Sequence, residues 1–453
     1  MGSSHLFYTP SNIVLKMIAL LDCNNFYVSC ERLFNTKLIN KPVVILSNND
    51  GCIISRSNEA KKMGILMGEP FFKIKKKIRD LGIYVYSSNY SLYGDISERV
   101  MSIIKKQFSN VEIYSIDEVF IDLKNKKDIG IILSELRNKL LKDVGIPVSI
   151  GISKTKTLSK IANRVVKKID EYQLYSRFKG IFEVYSENNI DLVLKKTLVG
   201  NIWGIGKSLD YFLKYHNIIN AYQLKNLNES FARKQKGLFL ERTILELRGI
   251  KCYNIVNDDT KRKSICVSRS FGEKTSSYEV IRSALIVYVQ RASEKLRRYG
   301  LYCKAIKVFL KTSRYEKNYY ENSKDFLFSE STLDSRLIWS KANYLLKEIY
   351  MNNFFYNKVG VILFDLCNKK EIQKSLFQYK YKSDKNIENL MNNIDYINKK
   401  FGNGSIRISS DKSGLFHKKE FKKNMKCKWI MKSNFCSPCY TTKWVDIPKA
   451  KIG

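Results

Sequence analysis

Two apolar segments that end in or contain carboxylates constrain the fold of this chain most. The run Met17–Leu21 is continuously apolar and stops at Asp22, which predicts a buried strand with a carboxylate at its tip. The segment Val111–Leu123 alternates as a strand does, but Asp117 and Glu118 interrupt its apolar set. Neighbouring strand residues face opposite sides of a sheet, so this acidic pair can share one site only where the backbone bends.

Asp22, Asp117 and Glu118 need partners if they are buried. A buried carboxylate is costly unless a cation or a hydrogen-bond donor faces it. Three carboxylates together repel one another, a divalent metal relieves that repulsion, and an oxygen-rich acidic site suits Mg²⁺. Two such ions about 3.5–4 Å apart can activate an attacking hydroxyl and stabilise a leaving phosphate. Spacing alone also allows the alternative that these residues cap turns or pair with lysines.

The remaining patterns indicate several mixed domains. A chain of 453 residues corresponds to about three or four domains. Residues 173 to about 255 are helical and basic, with a glycine-rich elbow. The stretch from Ser264 to about Leu366 has strand and helix patterns in a β-α-β-β-α-β-like order, which predicts an α+β module. From Cys367 onward we expect a flexible, polar, basic tail with a few ordered pieces, and Met1–Lys16 is interpreted as an extension.

The charge balance favours a polyanionic partner. Lysine and arginine number 80 against 43 aspartates and glutamates, a formal net charge of +37. Such a surplus suits nucleic acid first and an anionic membrane surface second, with biased composition as the alternative that carries no function. The 10 cysteines show no disulfide framework, which predicts a reducing, cytoplasmic compartment. No run of about 18 apolar residues is present, so no membrane span is predicted.

Several longer stretches share a family pattern. They are MIALLDCNNFYVSCE at 17–31, KPVVILSNNDGCIISRSNEAKKMGI at 41–65, YSIDEVFIDL at 114–123, GISKTKTLSKIAN at 151–163 and SPCYTTKW at 437–444. Together they resemble the Y-family of lesion-bypassing DNA polymerases, in the UmuC-like branch that forms the catalytic subunit of bacterial DNA polymerase V. The resemblance covers nearly the whole chain from Met17.

The resemblance implies an α+β multidomain fold of the right-hand polymerase type. Its parts would be a palm at 17–25 and 90–172, small fingers at 26–89, a helical thumb at 173–257, a little-finger domain at 258–367 and a basic, partner-binding C-terminal tail at 368–453.

The implied activity is template-directed, low-fidelity DNA synthesis across damaged DNA, as in SOS mutagenesis. A deoxynucleoside triphosphate would react with the primer 3′-hydroxyl by two-metal phosphoryl transfer, which depends on positioning and charge stabilisation. Asp22, Asp117 and Glu118 match the ligands of two Mg²⁺ ions, and the backbone carbonyl of Cys23 would assist. The implied partners are primer–template DNA, the sliding clamp, a processed UmuD-like dimer and a RecA filament, with no membrane.

Three further residues match the nucleotide-binding positions of the family. Tyr27 matches the steric gate that excludes a ribose 2′-hydroxyl; the alternative is a core aromatic. Lys61 lies where the family often has a Tyr-Glu-Ala-Arg run, but Asn58 replaces the tyrosine, and a lysine cannot make an arginine fork. Lys160 matches a palm lysine that contacts the triphosphate. Either lysine could instead be a solvated surface charge.

DNA contacts are expected at two places outside the nucleotide site. The run Trp203–Lys207 resembles a helix-hairpin-helix, in which Gly204 and Gly206 allow close backbone approach and the helix start at Lys207 binds a phosphate. A plain helix–helix turn is the alternative. Arg269 lies in a run that resembles the first strand of the little finger, which grips the DNA backbone.

The tail contains three weaker motifs. Gln373, Leu376 and Phe377 resemble the short peptide that docks on the sliding clamp, with the apolar pair entering a pocket. The lysine-rich run 418–432 is either a solvated charge run or a binding segment. A third set is a possible zinc site, formed by His417, Cys427, Cys436 and Cys439. We favour the alternative, in which the three cysteines are plain thiols.

Two other functions remain open from sequence. The chain could be a non-catalytic DNA-binding accessory subunit of a repair complex, although it retains all three carboxylates. It could also be a metal-dependent nuclease, which shares acidic ligands and a basic surface.

Overall fold

The computed structural model describes residues 17–124, 126–167, 178–256, 262–313, 316, 318–372, 384–402, 404–408 and 432–448. The chain divides into two compact units, of which the first contains Met1–Ser47, Gly51–Thr260 and Phe435–Gly453 and the second contains Asn48–Asp50 and Lys261–Asn434.

The first unit combines short strands with helices. The strands are β1 (Ile18–Cys23), β2 (Val43–Leu46), β3 (Ile53–Arg56), β4 (Tyr84–Ser87), β5 (Val111–Ile113), β6 (Glu118–Asp122), β7 (Val148–Ser153) and β8 (Ile181–Glu183). The helices are α1 (Phe26–Phe34), α2 (Asn58–Lys62), α3 (Phe71–Asp80), α4 (Tyr90–Gln107), α5 (Ile129–Asp143), α6 (Lys156–Lys167), α7 (Glu187–Lys195), α8 (Lys207–Tyr215), α9 (Ala221–Lys225), α10 (Glu229–Lys236) and α11 (Leu238–Leu247).

A five-stranded sheet forms the centre of this unit, in the order β5-β6-β1-β7-β8. Strand β1 runs antiparallel to both β6 and β7, and all six of its residues are buried, so the predicted buried strand with a carboxylate at its tip is confirmed. Helix α6 lies directly on β7, because a Cβ at Gly151 would come within 2.1 Å of the backbone nitrogen of Asn163. The sheet therefore holds the tip of β1 in a rigid frame.

A smaller sheet and a helical region complete the first unit. Strands β3, β2 and β4 pair in that order, with β2 and β4 parallel. The chain turns between β2 and β3, where Asn49 and Asp50 have positive φ values of 61° and 50°. Helices α7 to α11 and the apolar face of α6 form one hydrophobic core. The helical pattern predicted for 173–255 is thereby confirmed over the described part of that range.

The second unit contains a four-stranded antiparallel sheet with helices. Its elements are β9 (Ser264–Thr275), α12 (Tyr278–Arg298), β10 (Leu301–Lys311), β11 (Glu321–Thr332), α13 (Ser335–Ile349), β12 (Tyr356–Asn368) and α14 (Asp384–Phe401). The sheet order is β11-β10-β12-β9, and the predicted β-α-β-β-α-β order is confirmed. Helix α14 lies in the predicted tail, yet Met391 is buried in this core and Asp395 pairs with Arg297 at 2.6 Å.

No helix in the described part of the chain combines the length and apolar composition that crossing a membrane requires.

Candidate active site

The sheet register brings the tips of two strands together. Asp22 lies directly opposite Glu118 where β1 pairs with β6, and the backbone N–H of Cys23 donates to the carbonyl oxygen of Asp117 at 2.9 Å. The chain bends at residues 115–117 before β6 begins. This is the bend that the adjacent acidic pair requires, and Asp117 and Glu118 both lie beside the end of β1.

Ser115 stabilises that bend; in the sequence it interrupts the apolar set of 111–123, but no role at the site was predicted for it. Its hydroxyl donates to Asp117 Oδ1 at 2.6 Å and accepts the backbone N–H groups of Asp117 and Glu118 at 3.3 and 3.0 Å. A serine two residues before an aspartate is the usual spacing for such a local turn. The spacing of Ser115 and Asp117 is therefore a sequence signal for this bend.

Two lysines of α6 compensate the acidic charges. Lys167 Nζ lies 2.5 Å from Asp22 Oδ1, and Lys160 Nζ lies 2.9 and 2.8 Å from the two oxygens of Glu118. The lysine pairing that the sequence left open as an alternative is thus present for two of the three carboxylates. Nothing in the sequence distinguished Lys167 from the other basic residues.

The three carboxylates lie close enough to influence one another. Asp22 is only 7% exposed, and burial raises its pKa to about 6, with Lys167 opposing the shift and Glu118 and Asp117 adding to it. As the side chains stand, the described residues contain no group of three or more His, Cys, Asp or Glu that could hold a metal ion. The donor set is nevertheless all carboxylate oxygen, which suits a hard divalent cation, and such a cation would take the place of the ammonium groups.

Replacing Asp22 with asparagine is expected to stabilise the metal-free protein at pH 7.5. The folded-state pKa of about 6 exceeds the ordinary value of 3.8, so the folded protein binds this proton more tightly and loses stability as pH rises through that window. Asparagine carries no such penalty, and the unfolding temperature should rise by roughly 2–5 °C. Thermal unfolding at pH 7.5 and at pH 4 measures this, and the difference should shrink at pH 4.

The matched control is Asp80→Asn, which neutralises an exposed aspartate at the end of α3. An unfolding temperature of Asp22→Asn at or below that of the wild type at pH 7.5 would contradict the effect ascribed to burial of this carboxylate.

Tyr27 lies at the start of α1, one residue after the buried Phe26. Its ring stacks on Tyr93 with centroids 4.4 Å apart and planes 15° apart, and it meets Tyr90 edge to face at 6.2 Å. Burial, helped by Tyr90 and Asp117, raises the pKa of Tyr27 to about 12. The half-buried phenol is therefore neutral at working pH and lies in the field of the acidic cluster.

Lys61 on α2 is anchored beside the same cluster. Its Nζ lies 2.5 Å from Asn25 Oδ1 and 3.3 Å from Asn58 Oδ1, so Asn58, which replaces the family's tyrosine, supports this lysine. Burial, Arg56 and Lys167 lower the pKa of Lys61. Arg56 is a further cation that the sequence did not single out, and its buried Nε has no hydrogen-bond partner within the described structure.

The predicted hairpin element lies at the start of α8. Gly204 has a φ of 84° and is closely covered, because a Cβ there would lie 2.2 Å from the ring of Phe239. Gly206 occupies the N-cap of α8 without a side-chain hydrogen bond, which leaves the first backbone N–H groups of the helix, from Lys207 onward, without a side-chain cap. Trp203 packs beside it and donates to the hydroxyl of Tyr114 at 2.9 Å.

The remaining predicted residues fall in the second unit or outside the described residues. Arg269 lies on β9, where burial and Arg291 lower its pKa. The clamp-like residues Gln373, Leu376 and Phe377 lie outside the described residues, as do 418–431 of the lysine-rich run, His417 and Cys427. Cys436 is exposed and Cys439 is partly buried, both as thiols, and the described residues around them form no metal-binding group.

Comparisons with known proteins cover most of the chain. The impB/mucB/samB family matches residues 21–164 and its C-terminal domain matches 262–376. A domain of unknown function matches 388–450. Protein UmuC of Salmonella typhimurium (strain LT2) is 37% identical over 440 residues, covering 96% of this chain and 100% of the relative. Protein MucB of Escherichia coli is 33% identical over 441 residues, again covering 96% and 100%.

A solved structure shows the same fold. A Y-family DNA polymerase chimera of Dbh and Dpo4 superposes with a TM-score of 0.63 at 20% identity, covering 78% of this chain and 100% of the other. The predicted α+β right-hand polymerase fold is thereby confirmed.

Proposed function

This chain belongs to the impB/mucB/samB family, the UmuC-like branch of the Y-family DNA polymerases, and from that premise we propose that it copies damaged templates in SOS mutagenesis. It is a DNA-directed DNA polymerase. Its substrates are primer–template DNA and a deoxynucleoside triphosphate, and its reaction joins the nucleotide to the primer 3′-hydroxyl.

The observation that carries the proposal is the pairing of Asp22 with Glu118 across two strands, with Asp117 on the adjoining bend. These carboxylates, with the backbone carbonyl of Cys23, would hold two Mg²⁺ ions. Bound there, Mg²⁺ supplies the positive charge that favours ionisation of the 3′-hydroxyl and offsets the charge on the phosphates. The raised pKa of Asp22 supports the proposal, because a crowded acidic group gains most from a nearby cation.

Three lysines neutralise the negative charges of the triphosphate and the carboxylates. Lys61, held by Asn25 and Asn58, binds the triphosphate from the side of α2. Lys160 exchanges its pairing with Glu118 for the triphosphate when the nucleotide binds. Lys167 neutralises Asp22 through their ion pair until the cation and the nucleotide bind. Tyr27 lies beside the sugar and excludes a 2′-hydroxyl by its bulk.

Contacts that do not depend on DNA sequence hold the duplex. The uncapped start of α8 at Gly206 and Lys207 binds a phosphate, and Gly204 lets the backbone approach it. In the second unit, Arg269 neutralises a backbone phosphate. Because such binding releases counterions, DNA affinity falls steeply with salt.

The partners follow from kinship with the protein UmuC. They are the sliding clamp, which would take Gln373, Leu376 and Phe377, together with a processed UmuD-like dimer and a RecA filament. The net charge of +37 does not single out these protein partners, because the DNA is itself a polyanion that a positive surface binds.

Primer extension on damaged and undamaged templates, with Mg²⁺ and with and without partners, tests the proposal. We expect primers to lengthen past the lesion. Shortened primers would indicate the nuclease instead, and a wild type that never extends primers in the presence of partners would indicate the accessory subunit.

Replacing Lys61 with alanine is expected to raise KM for the deoxynucleoside triphosphate roughly tenfold with a smaller change in kcat. The lysine contacts a charge that the substrate carries before and during the reaction, so its loss weakens ground-state and transition-state binding together. Steady-state incorporation of one nucleotide measures both constants. Lys62→Ala, one residue further along α2, removes the same charge outside the site, and equal effects of both variants would contradict the assignment.

A further inference from the structure

The segment Phe435–Tyr440, here named the C-terminal clasp, contacts β4 and α1 within the first unit. The backbone N–H of Phe435 donates to Ser87 Oγ at 3.0 Å, and its carbonyl accepts the N–H of Ser87 at 3.0 Å. At the other end of the clasp, Tyr440 stacks on Phe34 of α1, with centroids 4.5 Å apart and planes 8° apart. The clasp is thus fixed at both ends to the elements that surround the nucleotide site.

Ser437 is the buried centre of the clasp, with 8% of its surface exposed. Its hydroxyl donates to Glu31 Oε1 at 3.0 Å and accepts from Asn89 Nδ2 at 2.9 Å. Asn89 in turn caps α4, since its Oδ1 accepts the N–H of Leu92 at 3.4 Å. One serine therefore links α1 to the start of α4.

Glu31 is a carboxylate in the core, only 1% exposed. Burial raises its pKa, and hydrogen bonds from Tyr93 and Ser437 act against that rise. Both hydroxyls donate to the same oxygen, Oε1, at 2.7 Å from Tyr93 and 3.0 Å from Ser437. A buried carboxylate that loses one of its donors is costly to keep in place, so Ser437 helps to fix the position of Glu31 and of its other donor, Tyr93.

The position of Tyr93 in turn restricts that of Tyr27. Tyr93 is fully buried, and the stacked ring of Tyr27 lies against it. Glu31 also lies one helical turn after Tyr27 on α1, so the two side chains share a face of that helix. The contacts run without a gap from Ser437 through Glu31 and Tyr93 to Tyr27.

We propose that the C-terminal clasp is a positioning element for sugar selection, in which Ser437 and Glu31 fix Tyr93 and thereby the ring of Tyr27. The inference rests on the proposed role of Tyr27 as the steric gate. It assigns a role to part of the segment that matches a domain of unknown function. A ring at the gate must be held within a fraction of an ångström to exclude a single hydroxyl.

The test compares Ser437→Ala with Ser433→Ala, which makes the same change at an exposed serine four residues earlier. The measured quantity is the ratio of kcat/KM for a deoxynucleoside triphosphate to that for the matching ribonucleoside triphosphate. A loss of folded enzyme lowers both values equally and leaves the ratio unchanged. We expect Ser437→Ala to lower the ratio roughly fivefold to tenfold and Ser433→Ala to leave it at the wild-type value.

A second variant, Tyr440→Leu, loosens the clasp by removing the ring that stacks on Phe34, and it leaves both hydroxyls that donate to Glu31 in place. It should lower the ratio in the same direction. If both clasp variants reduce activity but keep the wild-type ratio, the clasp is structural only and the inference is overturned. If Tyr27→Ala left the ratio unchanged, Tyr27 would not be the steric gate. The inference about the clasp would then fail, but the assignment of the chain as a polymerase would stand. Absence of any incorporation by the wild type would overturn the proposed function itself.

Discussion

Replacing Asp117 with alanine is expected to lower Mg²⁺-dependent nucleotide incorporation by at least roughly a thousandfold. The change removes one of three carboxylates at the tips of β1 and β6 but leaves the backbone carbonyl that pairs with Cys23. Asp22 and Glu118 would remain, each paired with a lysine, and two carboxylates compensated in this way hold divalent cations poorly. Single-nucleotide incorporation under saturating substrate measures the loss.

The control for this prediction is Asp143→Ala. Asp143 ends α5 and pairs with Lys139 on the same helix at 2.9 Å, so the variant removes an aspartate from a surface ion pair. It should incorporate nucleotides as the wild type does. If Asp117→Ala kept a rate within about tenfold of the wild type, the acidic cluster would not be the catalytic centre.

Replacing Tyr27 with alanine is expected to lower discrimination against ribonucleotides on the order of a hundredfold, because the ring that fills the space of the 2′-hydroxyl is removed. The phenol is neutral below its pKa of about 12, so charge plays no part in the exclusion. Competition between deoxynucleotides and ribonucleotides on one template measures the change.

Tyr27→Phe separates ring from hydroxyl. Phenylalanine keeps the stack on Tyr93 and the bulk at the gate, so its sugar selection should stay near that of the wild type. A loss of selection in Tyr27→Phe as large as that in Tyr27→Ala would show that the hydroxyl, and not the ring, discriminates between the sugars.

Much of the fold could be predicted because its signals are local. The apolar run of β1 and the alternating elements of the second unit are visible within windows of 5 to 20 residues. The docking of α14 and of the C-terminal clasp could not be predicted in this way. Asn89 and Ser437 are 348 positions apart, and no periodic pattern links residues at that distance.

The residues of the candidate site also differ in how far they could be predicted from local sequence. Asp22, Asp117 and Glu118 are conspicuous because each lies at the end of an apolar run or within one, but their grouping in one site was predicted from the resemblance to the Y-family and not from their spacing. Lys167 could not be predicted, since it is one of 80 basic residues and only its position on α6 brings it to Asp22. The burial of Glu31 could not be predicted either, because an acidic residue in a short helix ordinarily faces solvent.

The C-terminal clasp also has a consequence during protein synthesis. Helix α1 leaves the ribosome early, but the serine that completes the contacts of Glu31 follows some four hundred residues later. Domains fold as they emerge, so in a nascent chain the hydrogen bonds of Glu31 stay incomplete until Ser437 has been synthesised. A polypeptide cut by a nonsense codon or a protease before Ser437 would lack this hydrogen bond to Glu31, and the proposed positioning of Tyr27 would be lost with it.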